Sequence, residues 1–504
     1  MDYILSVDLG TTALKIALFD RDGNTMSLST QEYQLLTPTT LSVELGVETY
    51  WNAFKEGIRE VLTKAAIPPK DIRTLGLSAQ GETLIVIGRD GKPLRNAIVW
   101  LDNRAQEEAD ILAREFGHEA CYKRTGQVKF VPTWPASKIL WIKRNEPEVF
   151  ERTYKYLLIE DYFIYRLTGQ FVAEGSLLCS TTYWDIISKQ WWPEMLEFLS
   201  ISPDQLPQIR ESGEVVGTII PGVALELGLS PDTIVATGAL DQAAGAIGVG
   251  NIKSGIFSEN TGAALAICMT VDKPTFDPLG RMPCHYHGIP DTYMMHTFTT
   301  GGMVLRWFRD NFCQPEMIVA SSSNRDAYDL IGLEVNHVPA GCDGLIMLPH
   351  LAGAMAPESN PKAKGVFYGF TLHHTREHFA RAIMEAIACI VKRNIDVIEE
   401  LGNSVFEVRC LGGGSKSRIW NQIKADLTQR TVLTAKSSEA ACLGAAILAG
   451  KAVGMYRNLE EACSNMITLG ERFEPNVENA EVYSRVYKQY VRIYDSLINI
   501  FAGE

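Results

Sequence analysis

The stretch LSVDLGTTALKIALFD, Leu5 to Asp20, places an aspartate, a glycine and two threonines between two runs of strand-forming residues. Tyr3 to Val7 and Leu14 to Phe19 read as strands joined by the polar turn DLGTT. Asp22-Gly23 then supplies a hairpin turn into a third extended run, Thr25 to Tyr33. Beyond it Trp51, Phe54, Ile58, Val61 and Leu62 recur at helical spacing, and Thr74 to Ser78 reads as a strand. An antiparallel meander, a helix and a strand predict an α/β domain, but not the strict alternation of a dinucleotide-binding fold.

The pattern returns past the midpoint. GIFSENTGAALAICM, Gly255 to Met269, again reads as strand, polar turn with Thr-Gly, strand. The small-residue segment ALDQAAGAIGVG, Ala239 to Gly250, precedes it as a helix and hinge, which sets the expected domains at 1–250 and 251–504. In the second half Thr375 is placed to cap a long helix with Phe379, Ile383, Ile387, Val391, Ile395 and Ile398 on its buried side. Strand VFEVRCL, turn GGGSKS, helix RIWNQIKADL, strand TVLTA and the helix EAACLGAAILAG follow.

Composition narrows the function. The 504 residues are 46% hydrophobic and 21% charged, with a net charge of −13, so neither nucleic acid nor an anionic membrane is the expected partner. The start, Met-Asp-Tyr-Ile, lacks the basic flank and apolar core of a secretory signal, and a cytoplasmic protein is expected. Ten cysteines are scattered without a CxxC pair and read as buried thiols. Cys284, His285 and His287 in PCHYHG lack a second ligand cluster, and ordinary packing is the expectation there. Tyr483, Tyr487, Tyr490 and Tyr494 mark a core or subunit-contact face, the latter compatible with a homodimer.

Several turns carry chemistry. In DLGTT the glycine lets backbone N–H groups converge on an anion, the threonine hydroxyls donate, and Asp8 is suited to a hydrated magnesium ion. The second copy would face it across a cleft and grip the other end of a polyphosphate. GGGSKS, Gly412 to Ser417, sits between strand and helix, where a flat base or a phosphate approaches closely. No Walker A loop and no HRD catalytic loop occurs, so ATP use would need another architecture. Asp241 opens the segment DQAAG after a strand; it suits either a helix cap or a general base that takes the proton of an accepting hydroxyl. SAQGETL, with Gln80, Gly81 and Glu82, and WLDNR, with Trp100 and Asp102, group amide, acid and aromatic side chains that suit a polyol, or else a solvated strand end.

Taken together, these segments resemble the FGGY family of carbohydrate kinases. VDLGTT and ENTGAAL resemble its two phosphate motifs, and TWPASKILWI resembles one signature. GVFYGF with HFARAIME resembles another, and GGGSKSRIWNQIKAD with EAACLGAA its adenosine site. The resemblance implies paired actin-like, ribonuclease-H-like domains around a cleft, a cytoplasmic enzyme using Mg2+ and ATP, and closure on ligand. It assigns Asp241 as catalytic base and Asp8 near magnesium. Thr11, Thr12, Thr261 and Gly262 would meet phosphates, Gly302 in TTGGMVLRW would approach the terminal one, and Gly413 and Gly414 would lie against the nucleotide. Gln80, Gly81, Glu82, Trp100, Asp102 and Asp241 would hold the sugar.

Departures from the family pattern bear on the substrate. Glycerol kinases resemble QRET where this chain has Gln80 to Thr83, and xylulokinases carry QMHG there. WLDNR is closer to the xylulokinase version, and Gly81 is expected to leave more room than glycerol needs. Asn260 stands where many members have glycine. The expected activity is phosphorylation of a ketose or sugar alcohol, xylulose first. Glycerol or another polyol is the alternative substrate, and an actin-like ATPase module without sugar phosphorylation is the alternative of a different class.

Overall fold

The computed structural model describes residues 2–503. The opening stretch folds as its pattern predicts. Tyr3–Leu9, Ala13–Phe19 and Thr25–Glu32 form an antiparallel meander, and Tyr3–Leu9 pairs in parallel with Ile72–Ala79. Ile234–Ala236 extends this sheet in parallel, and Val215–Thr218 closes it antiparallel. The helix Val47–Ala65 covers one face with Trp51, Phe54, Ile58 and Val61 buried.

The second sheet repeats this order. Tyr293–Thr300, Ala264–Val271 and Ile256–Thr261 make its antiparallel meander; Glu407–Leu411 and Thr431–Ala435 follow in parallel, and Leu469–Phe473 closes antiparallel. A further strand, Cys284–Tyr286, is added outside the repeat. The chain therefore has a mixed α/β fold in two topologically equivalent domains. The long helix Arg376–Glu400, with Thr375 at its N-cap, buries Ile383, Ile387, Val391, Ile395 and Ile398 in the second core.

A small third core lies between Leu84 and Leu206. It is built on a four-stranded sheet of Glu44–Leu45, Ala97–Ile98, Leu84–Ile87 and Lys155–Leu158. SAQGETL thus joins a strand of the main sheet to a strand of this smaller one, which places Gln80 to Thr83 at a junction between cores.

The small residues of ALDQAAGAIGVG and EAACLGAAILAG find their reason in helix crossing. The helices Asp241–Gly248 and Ala440–Ala452 pack backbone to backbone: a Cβ on Gly444 would stand 1.8 Å from the Ala244 carbonyl oxygen, and one on Gly248 1.9 Å from that of Ala440. Only glycine permits that approach. Although Ala440–Ala452 follows a strand of the second sheet, its Cys442, Leu443, Ala446, Ile447 and Ala449 belong to the core of the first. The crossing ties the two domains at the floor of the cleft between them.

All ten cysteines are buried and unpaired. In PCHYHG, His285 Nδ1 lies 3.3 Å from Cys179 Sγ, and burial pulls His287 down to about 3. Tyr483, Tyr490 and Tyr494 are core residues, while Tyr487 is partly buried against them. No helix among the described residues is long and apolar enough to cross a membrane.

Candidate active site

The two hairpins, Asp241 and the glycine-rich turn converge. A cavity of about 280 Å³ is lined by Asp8, Lys15, Asp241, Asn260, Gly412 and Glu439, among others. Strand register explains the meeting. Asp8 and Asn260 each sit one residue before the last paired position of their hairpin's first strand, Leu9 opposite Leu14 and Thr261 opposite Leu265, so equivalent positions of the two domains look at one another.

Asp241 is the first residue of the crossing helix, where the helix dipole favours a carboxylate. Its Oδ1 accepts the Gln242 N–H at 2.7 Å. Burial lifts its carboxyl to about 8, and the negative charges of Asp8 and Glu82 add to the lift. Asp8 accepts the Ser78 hydroxyl at 2.9 Å and is raised mainly by burial. Lys15, across the strand pair from Asp8, is already bridged to Glu439 at 2.7 Å. Asp8 and Asp241 therefore turn carboxyl oxygens into the cavity without a direct cationic partner, a donor set that fits a hard divalent cation such as magnesium.

The sugar-side residues gather around the junction of cores. Gln80 is buried; its Nε2 donates to the Gly10 carbonyl at 3.2 Å and to the Tyr50 hydroxyl at 3.3 Å, while its Oε1 has no protein partner. Glu82 adopts a left-handed backbone, φ 55°, and burial raises its carboxyl. Trp100 Nε1 donates to Thr11 Oγ1 at 2.8 Å, so one indole links the WLDNR segment to the front hairpin. Thr12 is exposed at the tip of that hairpin.

Three expectations meet a different arrangement. Asp102 is fully buried: Oδ2 accepts the Val43 N–H at 2.6 Å and Arg104 grips both oxygens, so Asp102 braces the Trp100 turn instead of offering a free acceptor to a sugar. Thr261 turns inward, donating to Glu259 and accepting from Lys424 Nζ at 3.1 Å, so its hydroxyl is already engaged by protein groups under the hairpin. Gly81 does not open simple empty space, because a Cβ there would stand 3.1 Å from Leu240 Cδ1. For Asp102 and Thr261 a tertiary partner takes the polar group, and at Gly81 the Leu240 side chain occupies the nearby space.

Around the second hairpin the glycines form one surface. The Gly302 N–H donates to the Gly262 carbonyl at 2.9 Å. Gly412, at φ +73°, lies so close to Asn260 that a Cβ would meet its Oδ1 at 2.3 Å, and Gly414 is packed on Thr261 in the same way. Gly413 has open space around it, as a flat ligand would require.

Lys15, Ser78, Glu439 and Lys138 escaped the sequence reading. Lys138, in TWPASKILWI, is fully buried and donates to the carbonyls of Glu82 at 2.8 Å and Val99 at 3.0 Å, holding both sugar-side segments; burial lowers its affinity for a proton. The signal for Lys15 was present, since a hairpin paired at Leu9 and Leu14 sets Lys15 opposite Asp8. Glu439 opens the segment EAACLGAA, but nothing in the sequence paired it with Lys15, which lies far away along the chain.

A two-domain α/β clamp with acids and glycine-rich turns at its hinge defines a class of phosphotransferase, and sequence comparison specifies it. The model of the FGGY family of carbohydrate kinases, N-terminal domain, matches residues 3–248, and that of its C-terminal domain matches residues 268–453. The chain belongs to this family and is a kinase acting on carbohydrate hydroxyls. Similar relatives include a gluconokinase and a xylulose kinase of Bacillus subtilis, each 30% identical; the first alignment covers 99% of this chain and 96% of the relative, the second 98% and 97%. The structure superimposes on ligand-bound xylulose kinase from Lactobacillus acidophilus with a TM-score of 0.90 at 28% identity over the whole of both chains. Plasmodium falciparum glycerol kinase with ADP shares the fold, with a TM-score of 0.87 at 22% identity over 99% of each chain.

Proposed function

We propose that the protein transfers the γ-phosphoryl group of ATP to a hydroxyl of an uncharged ketose or sugar alcohol, with xylulose as the first candidate. The supporting observation is the placement of Asp241, whose carboxyl titrates near 8 in a cavity shared with Asp8, Asn260 and Gly412. A general base works best when its pKa lies near the working pH. Asp241 would orient the acceptor hydroxyl and take its proton as the oxygen bonds to the γ-phosphorus; the bond from that phosphorus to the bridging oxygen breaks and ADP leaves.

Asp8, with Asp241 beside it, would hold magnesium, which spreads the phosphate charge when bound. The exposed turns around Thr12, Gly262 and Gly302 would meet the phosphates, and Gly413 the nucleoside. Trp100, held by Thr11 and Thr83, would pack the carbon face of the sugar, with Gln80 Oε1 and Glu82 as acceptors for its hydroxyls.

The charge of the site favours a neutral substrate over gluconate. Asp8 and Glu82 both disfavour a negative charge on Asp241, whereas the neighbouring amine Lys138 is committed to two carbonyls and Arg104 to Asp102 and Glu44. A substrate carboxylate would face repulsion without a free cation to answer it. ADP release measured over xylulose, other ketopentoses, tetritols, heptuloses, glycerol and gluconate tests this reading. The expected result is a kcat/KM for a ketopentose or polyol at least tenfold above that for gluconate; the reverse order would refute it.

A further inference from the structure

Outside the cleft, the turn that leads into the long helix carries an unusual set of donors in TLHHTREH, Thr371 to His378. We propose that His373, His378 and Asp343 form a binding site for a divalent cation of the zinc class. His373 Nε2 lies 3.2 Å from Asp343 Oδ2, and His378 Nε2 lies 3.4 Å from the same oxygen. The three donors fall within 4.8 Å of one another. Ligands bound at about 2.0 Å in a tetrahedron are separated by about 3.3 Å, so both measured edges match a shared ion. Two imidazoles and one carboxylate suit zinc, cobalt or nickel, whereas magnesium prefers oxygen donors and water.

The surroundings hold the donors in place. His374 does not join them: its Nδ1 accepts the Thr371 N–H at 2.9 Å and its Nε2 reaches the Cys342 carbonyl at 3.1 Å, which pins the loop carrying His373 beside Asp343. His378 is buried on the first turn of Arg376–Glu400, with Nδ1 at 2.9 Å from the Thr375 hydroxyl, and that hydroxyl donates in turn to Glu377. Nδ1 also accepts the Thr375 N–H at 3.2 Å, so an ion at Nε2 requires the ring to change tautomer, giving up that bond and donating from Nδ1 to the Thr375 hydroxyl, as outer partners of metal-bound imidazoles do. His373 is largely exposed, which leaves the fourth position open to water. The ion would staple the turn Cys342–Gly344 to the loop and to the start of the helix. None of the three donors lines the cleft cavity, so the site is independent of the kinase chemistry.

The test is direct titration of chelator-treated full-length protein with zinc, and separately with cobalt, in excess magnesium. One zinc per chain is expected, together with the visible absorption bands of tetrahedral cobalt. His373→Ala and Asp343→Asn should each weaken zinc binding by at least tenfold, while Asp241→Asn, which alters only the cleft, and His337→Ala, which removes an exposed histidine elsewhere, should not change it. Absence of zinc binding at micromolar concentration in the folded wild-type protein would overturn the proposal. So would unchanged affinity in both His373→Ala and Asp343→Asn, with folding of each variant checked by circular dichroism.

Discussion

The front hairpin and its counterpart past the midpoint occupy equivalent places in equivalent sheets, yet their chemistry has diverged. In the first, a four-residue turn follows Leu9, Asp8 faces the cavity, and Lys15 stands opposite, bridged to Glu439. In the second, the turn after Thr261 is one residue shorter, the position matching Asp8 is the neutral Asn260, and that matching Lys15 is Ala266. The charged pair under the second hairpin, Glu259 with Lys424 at 2.5 Å, is wholly buried and holds Thr261 from below. The two frames are equivalent in backbone and unequal in charge: the first sets an acid opposite a base, and the second sets neutral residues at both positions. The second presents backbone and glycines.

The strongest way to break this comparison is to remove the acid between the hairpins. Asp241→Asn should lower kcat by about 10²–10⁴-fold while ATP affinity by calorimetry changes little. Retained turnover would leave the site without its base. Next, exchanging the facing pair should reveal the asymmetry. Asp8→Asn is expected to cost on the order of 10² in kcat and to raise the magnesium requirement, whereas Asn260→Ala should alter the KM for ATP by about threefold. Equal losses in the two variants would mean that the hairpins share the metal-handling work.

Thr261 sharpens the contrast on the stability side. Thr261→Val keeps the shape but leaves Glu259 and Lys424 each short of a partner, so unfolding free energy should fall by about 1–3 kcal/mol with the KM for ATP unchanged. A large rise in KM with normal stability would return its hydroxyl to the phosphate.

The smallest effect concerns pH. Because folding raises the Asp241 pKa from 3.8 to about 8, the folded chain holds that proton more tightly than the unfolded one. Its stabilising contribution is complete below pH 4 and is lost as pH climbs towards 8. Asp241→Asn should therefore melt about 1–2 °C higher than the wild type at pH 8 in the absence of ligands, with the gap closing in acid. A variant that melts lower at pH 8 would contradict the electrostatic reading of the cavity.

How far the sequence could be read depended on the range of the interaction. The first meander, the first hairpin of the second, the helix after Thr375 and the turns at DLGTT and GGGSKS were legible, because alternation, helical spacing and turn residues act over a few neighbours; the third strand of the second meander, Tyr293–Thr300, was not. That the two hairpins would face each other across a cleft was anticipated from the repeat; that Gly412 packs against Asn260 was not. The fates of Asp102, Thr261 and Gly81 were not. Each is decided by a partner distant in the chain or across a core: Val43, Lys424 and Leu240.

The sequence by itself determined two equivalent α/β units and the polar turns that each sets at its edge, since backbone geometry and hydrophobic period are local properties. Which of those polar groups keep a free valence for ligand was settled only in three dimensions. A buried oxygen or nitrogen satisfies itself with whichever partner the packing brings near, and burial beside Asp8 and Glu82, not the identity of residue 241, gives its carboxyl a proton affinity suited to a base.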